Sequence, residues 1–189
     1  MAKNNKIYTE LLQIMHDYVK FMDSEKSMDL PVVVSEPKKN HKSSLYYSSP
    51  LTAAFPLGES SFDCEIKDRE SLTYSFQILT DAFKFRVALR FDEGIATHYN
   101  NIPGIELTEQ SVTAPHFHKY NEHGYFIAYK NEDLKQVVNY PMSLEDGFNA
   151  FCKEARIKTG EITPKIKIVE GGVIKMNLEQ QDPLAGVNF

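Results

Sequence analysis

Residues 83–91, Phe83-Lys84-Phe85-Arg86-Val87-Ala88-Leu89-Arg90-Phe91, set Phe83, Phe85, Val87, Leu89 and Phe91 against Lys84, Arg86, Ala88 and Arg90. A period of two is the mark of a strand with one buried face. The same alternation runs through Leu72, Tyr74, Phe76 and Ile78, and before that through Phe62, Cys64 and Ile66. The gaps at 68–71 and 81–82 are too short for anything but antiparallel hairpins. Three strands therefore form a meander whose apolar face requires a cover of helices, and 83–91 is expected to be central in the full sheet. Phe76, Phe85, Val87, Leu89, Phe117 and Phe151 are the expected core.

Upstream, Ile7, Leu11, Ile14, Tyr18 and Phe21 recur at three- and four-residue steps, which predicts an amphipathic helix over 7–21. Residues 23–61 carry Pro31, Pro37, Pro50 and Pro56 and a basic run, Lys38-Lys39-Asn40-His41-Lys42. Proline removes a backbone donor, so loops and short strands are expected there, one of them at 30–34.

Downstream, 92–114 shows no sustained period and reads as a long loop, a length often reserved for function. The chain returns as a strand at 115–120, turns at 121–124 and continues as a strand at 125–129. Asn131 and Ser143 are N-cap candidates for a helix to 138 and a helix to about 156. Glu145 and Asp146 favour the start of the second through the helix dipole. Residues 162–178 read as a hairpin around Gly171-Gly172. The expectation is one α+β domain, 1–189. It has an antiparallel sheet of about five or more strands, packed by N-terminal and C-terminal helices.

With 42% hydrophobic and 25% charged residues, the 189-residue chain suits a globular domain able to bury its own core. A net charge of −5 disfavours nonspecific coating of nucleic acid. Cys64 and Cys152 stand in no CxxC spacing, which argues against a zinc ribbon or a disulfide scaffold. No apolar run suggests a signal peptide or membrane span, so the expected compartment is the cytoplasm. There is no GxSxG, GxGxxG or GxxxxGK[ST] motif.

Chemistry concentrates in His116-Phe117-His118-Lys119-Tyr120. On a strand, His116, His118 and Tyr120 share one face, neighbours roughly 6.5–7 Å apart, while Phe117 faces the core. If this strand pairs with the one ending at Phe91, Arg90 and Asp92 join that face, and His98 and Asn100 cross nearby in the loop. Clustered histidines suit acid–base work near neutrality. In RNA cleavage one imidazole takes the 2′-hydroxyl proton, another protonates the leaving oxygen, and Arg90 offsets phosphate charge. Asp92 would orient a histidine and Tyr120 would stack on a base or donate to phosphate. The same residues suit zinc, iron or nickel, but HxH is a short motif with no further ligand spacing beside it. The reading adopted is metal-independent, with no cofactor. The bland alternative is a hydrogen-bonded, half-exposed sheet face.

The segments Phe62-Asp63-Cys64-Glu65-Ile66-Lys67, Phe85 to Asp92, His98-Tyr99-Asn100 and Ala114-Pro115-His116-Phe117-His118-Lys119-Tyr120 resemble a bacterial domain family of unknown function with an HxN loop and a PHxHxY strand. Over 62–157 the chain is also loosely similar to the TumE-type toxins of toxin–antitoxin systems. Here Asn101-Ile102-Pro103-Gly104 replaces the family's usual continuation of the HxN loop. The resemblance implies a bacterial or phage conflict protein acting on RNA, and together with the histidine cluster it points to an endoribonuclease of toxin or counter-defence type. Lys38, Lys39, Lys42, Lys84 and Arg86 are then the RNA-binding candidates. The alternative is an acidic, non-enzymatic inhibitor of anti-CRISPR or antitoxin type, bound to a protein–RNA defence complex, where negative charge steers the chain to a positive groove.

Overall fold

The computed structural model describes residues 6–38, 41–68, 73–84, 86–94, 97–137, 141–159 and 165–169. In chain order the elements are α1 (Thr9–Gln13), α2 (Met15–Asp23), β1 (Lys26–Ser27), β2 (Val32–Val34), β3 (Glu36–Lys38), β4 (His41–Ala53), β5 (Ser60–Asp68), β6 (Thr73–Thr80) and β7 (Val87–Glu93). There follow β8 (His98–Tyr99), a 3-10 turn (Leu107–Gln110), β9 (Ser111–Val112), β10 (His116–Tyr120), β11 (Phe126–Tyr129), α3 (Glu132–Lys135), α4 (Leu144–Glu154) and β12 (Ile166–Ile168).

The fold is α+β, and the meander is its centre. An antiparallel sheet runs β1-β4-β5-β6-β7-β10-β11, with β3 also paired to β4. One face buries Phe62, Cys64, Ile66, Tyr74, Phe76, Ile78, Leu89, Phe91 and Phe117. The helix α4 covers it, its Phe148 and Phe151 rings 5.5–5.7 Å from those of Phe62 and Phe76. Both predicted caps are made: Leu134 N–H donates to Asn131 Oδ1 at 3.0 Å and Asp146 N–H to Ser143 Oγ at 3.1 Å.

Several expectations change. The third meander strand begins at Val87, not Phe83, because Arg86 adopts φ 61° and the register shifts between Ile78 and Leu79. Phe83 is buried in the turn, Val87 is only half-buried, and Phe85 lies outside the described residues. The strand has β6 and β10 as neighbours, so it is interior, but β6 holds the middle of the sheet. The predicted N-terminal helix is broken at Ile14 into α1 and α2, and Ile7 is 41% exposed. The helix from Asn131 stops at Lys135.

The proline-punctuated segment contains the thirteen-residue β4. Pro50 fits there because β3 pairs only up to Tyr46 and β1 only from Thr52, leaving an open edge between them. The first arm of the expected C-terminal hairpin is β12, which pairs in parallel with β2. The second arm, 173–178, lies outside the described residues.

Where β7 and β10 part, a side chain completes the ladder. Their pairing ends at His118 opposite Arg90. Beyond it the Tyr18 hydroxyl accepts from Tyr120 N–H at 3.1 Å and donates to Ala88 O at 2.8 Å. The two strand groups are thereby satisfied although the strands have separated.

Candidate functional site

The face of the sheet opposite α4 is polar, and its composition follows from register. His116 stands opposite Asp92 and His118 opposite Arg90, while Phe117 meets Phe91 on the core side. The predicted pairing across the long loop is therefore present. The loop folds back as the β8–β9 ribbon, which lays His98 over β10. Asn100 anchors it, its side-chain amide bonding both the N–H and the C=O of Ala128 on β11. Inside the loop, Gln110 is buried and bonds the backbone of Ile102 and Ile105.

The result is a triangle of imidazoles. Ring centroids are 4.7 Å apart for His116–His118, 4.7 Å for His98–His118 and 5.8 Å for His98–His116. One ring nitrogen from each lies within 4.8 Å of the other two. His116 and His118 are each 5% exposed, and Nδ1 of both meets no hydrogen-bond partner among the described residues. Phe126 stacks on the His118 ring at 5.3 Å.

The electrostatics are ordered by Asp92. Its Oδ1 accepts from Arg90 Nε at 2.9 Å and Nη2 at 2.7 Å. Its Oδ2 stands 3.1 Å from His118 Nε2, near enough to favour a proton there though off the line of an ideal hydrogen bond. Burial acts to raise the Asp92 carboxyl, but His118 and Arg90 together hold it down at about 2. Burial, then the neighbouring His118, pushes the His116 imidazole down to about 4, and the same two causes lower His98. The cluster opens on a cleft of about 450 Å³ whose rim carries Lys67, Thr73 and Thr97.

Of the residues singled out from sequence, His98, His116, His118, Arg90 and Asp92 come together. Tyr120 does not: it is buried with Tyr8, Tyr18, Phe83 and Phe126 beside the N-terminal helices and is not on the cleft wall. Lys84 and Arg86 are exposed at the far end of β7, four residues or more before Arg90, roughly 13 Å or more along the strand. Lys39 lies outside the described residues, as do the side chains of Lys38 and Lys42, whose backbones belong to β3 and β4. Sequence reasoning missed Lys67 as a cleft residue. Its place at the end of a polar strand row, beside a hairpin, was the available signal.

Cys64 and Cys152 are buried free thiols, and burial pushes Cys152 up to about 12, which disfavours the thiolate that a nucleophile needs. No helix among the described residues is long and apolar enough to cross a membrane. Comparison of the chain with known protein families, with curated proteins and with solved structures finds no match.

Proposed function

We propose that His98, His116 and His118 bind one divalent transition-metal ion of the zinc class, and that the protein is a metal-dependent hydrolase acting in the adjoining cleft. The observation that carries this reading is the convergence of three imidazole nitrogens within 4.8 Å, two of the histidines buried with unpartnered nitrogens. A buried polar atom without a partner is costly, and a cation bound among the three rings would give their unpartnered nitrogens one.

A four-coordinate zinc site needs ligand nitrogens about 3.4 Å apart, so the rings would close by about an ångström, well within side-chain rotation. Asp92 favours the proton on His118 Nε2 and so leaves Nδ1 as the lone-pair donor, the carboxylate–histidine arrangement typical of metal ligands. Three protein ligands with a cleft on the open side match catalytic rather than structural zinc sites. When bound, such an ion supplies Lewis acidity and an acidified water.

This reading departs from the metal-independent expectation. Acid–base cleavage of RNA would need an imidazolium among the histidines, a charge that burial opposes at His98 and His116 and that His118, beside Asp92, is the one placed to carry. Elemental analysis after equilibration with zinc and dialysis tests the proposal. One ion per chain is expected, lost in the His116→Ala/His118→Ala double variant. A chain that retains no zinc, manganese, iron, nickel or cobalt refutes it.

A further inference from the structure

We infer that the substrate class is a small phosphate ester, its phosphoryl oxygens held by the guanidinium of Arg90 and the ammonium of Lys67 beside the three-histidine cluster; the inference rests on the metal-site reading above. Arg90 is positioned before any ligand arrives. It gives Nε–H and one Nη2–H to a single oxygen of Asp92, which orients the guanidinium on the polar sheet face. A guanidinium carries five N–H groups. Those remaining meet no acceptor among the described residues, and the side chain is 34% exposed in the cleft wall. Lys67 stands on the same rim, exposed and with no ion pair among the described residues.

Charge selects the ligand. Of the two carboxylates that the cleft wall has among the described residues, Asp92 is taken up by Arg90 and His118. Glu93 is turned to the backbone, accepting from Gly94 N–H at 2.9 Å and Met142 N–H at 3.2 Å. Among the described residues the four fixed charges of the wall, Lys67 and Arg90 against Asp92 and Glu93, cancel, and a divalent ion bound by the histidines would add positive charge to them. An arginine fork, a lysine and a metal ion at three separate points suit the three outward oxygens of a phosphoryl group better than the two of a planar carboxylate.

The size of the cleft favours a small molecule over a polymer. A cleft of about 450 Å³ holds a nucleotide-sized molecule. Lys84 and Arg86, which would track a long backbone, are at the opposite end of β7, and the chain carries a net −5. In the reaction a water oxygen forms the new bond to phosphorus as the ester P–O bond breaks. The leaving oxygen keeps the bonding pair and takes one water proton, the other remaining on the phosphate product.

The test uses the full chain equilibrated with zinc and four substrates: p-nitrophenyl phosphate, bis(p-nitrophenyl) phosphate, neutral p-nitrophenyl acetate and a single-stranded oligoribonucleotide. Turnover of at least one of the small phosphate esters is expected, with competitive inhibition by inorganic phosphate. Arg90→Ala should lower kcat/KM about a hundredfold and Lys67→Ala should raise KM, both retaining one zinc per chain. Because Arg90 also holds Asp92, Lys67→Ala is the variant that leaves the cluster's own contacts untouched. If zinc binds but inorganic phosphate does not inhibit, or only the neutral ester is cleaved, the phosphate inference fails while the metal reading stands. If the oligoribonucleotide is preferred over both small esters, the size argument fails. If no zinc is retained, the metal reading fails. Calorimetry with inorganic phosphate on the metal-free chain then decides the anion site: binding weakened by Lys67→Ala upholds it, and no binding overturns it.

Discussion

Asn100 and Ala128 are joined by two hydrogen bonds: Ala128 N–H donates to Asn100 Oδ1 at 2.6 Å, and Asn100 Nδ2 donates to Ala128 O at 3.0 Å. A side-chain amide here does what a neighbouring strand would do, and it carries His98, two residues away, onto β10. Asn100→Ala leaves both strand groups of Ala128 without that partner, a loss of about 1–3 kcal/mol. Faster hydrogen exchange at the Ala128 amide and weaker zinc retention through His98 are the expected readouts. Unchanged exchange at Ala128 would contradict the tether.

Asp92 orients two groups, the His118 ring and the Arg90 fork. Asp92→Asn keeps the shape and removes the charge. Zinc affinity should fall about 10–100-fold, the usual effect of losing a carboxylate behind a ligand histidine. Competition with a chelator measures it, and an affinity equal to that of the parent chain would count against the assignment.

Gly147 sits within α4 where helix propensity favours alanine by roughly 1 kcal/mol. The structure predicts the opposite sign. A Cβ there would lie 2.2 Å from the Tyr74 hydroxyl, which donates to Met142 O and Ser143 O. Gly147→Ala should destabilise by about 1–3 kcal/mol through overpacking. Chemical denaturation gives the value, and a stabilised variant would show that α4 sits further from β6.

Lys26 is buried with its ammonium donating to Phe21 O at 2.7 Å, Met22 O at 3.2 Å and Ser24 O at 3.0 Å. It closes the C-terminal end of α2, where carbonyls lack helical partners. Lys26→Met preserves the packed stem and removes the donors, so a loss of about 1–3 kcal/mol is expected. Thermal melts of this variant against the parent check it.

Tyr46 is pushed up to about 12 by burial and by its hydrogen bond to Asp63, and burial also raises Tyr18, Tyr74, Tyr120 and Tyr129. Unfolded tyrosine ionises near 10, so above that pH the unfolded chain binds fewer protons than the folded one. Stability held by these phenols is complete below about pH 10 and is lost as pH rises toward about 12. Absorbance at the phenolate band should show these five silent until the fold is lost. Their titration near pH 10 in a still-folded protein would overturn the burial.

Much of this was legible in the residues themselves. Alternation at Phe62, Cys64, Ile66, Tyr74, Phe76 and Ile78 determined which face of the meander is buried, because a pleated strand presents only two sides. The same rule put His116 and His118 together and sent Phe117 to the core. Tertiary structure decided the rest. Alternation also put Tyr120 beside the histidines, yet the strands separate after His118 and the Tyr18 hydroxyl closes the gap, so Tyr120 packs into an aromatic cluster and does not reach the cleft wall. Proline spacing hid β4, since whether a missing donor matters depends on which neighbour lies at that edge. The arrival of His98 depends on contacts that residue 98 does not make: Asn100 with Ala128, and Gln110 with Ile102 and Ile105. The low proton affinity of His98 and His116 depends on burial, a property of the assembled sheet and loop that no local pattern encodes.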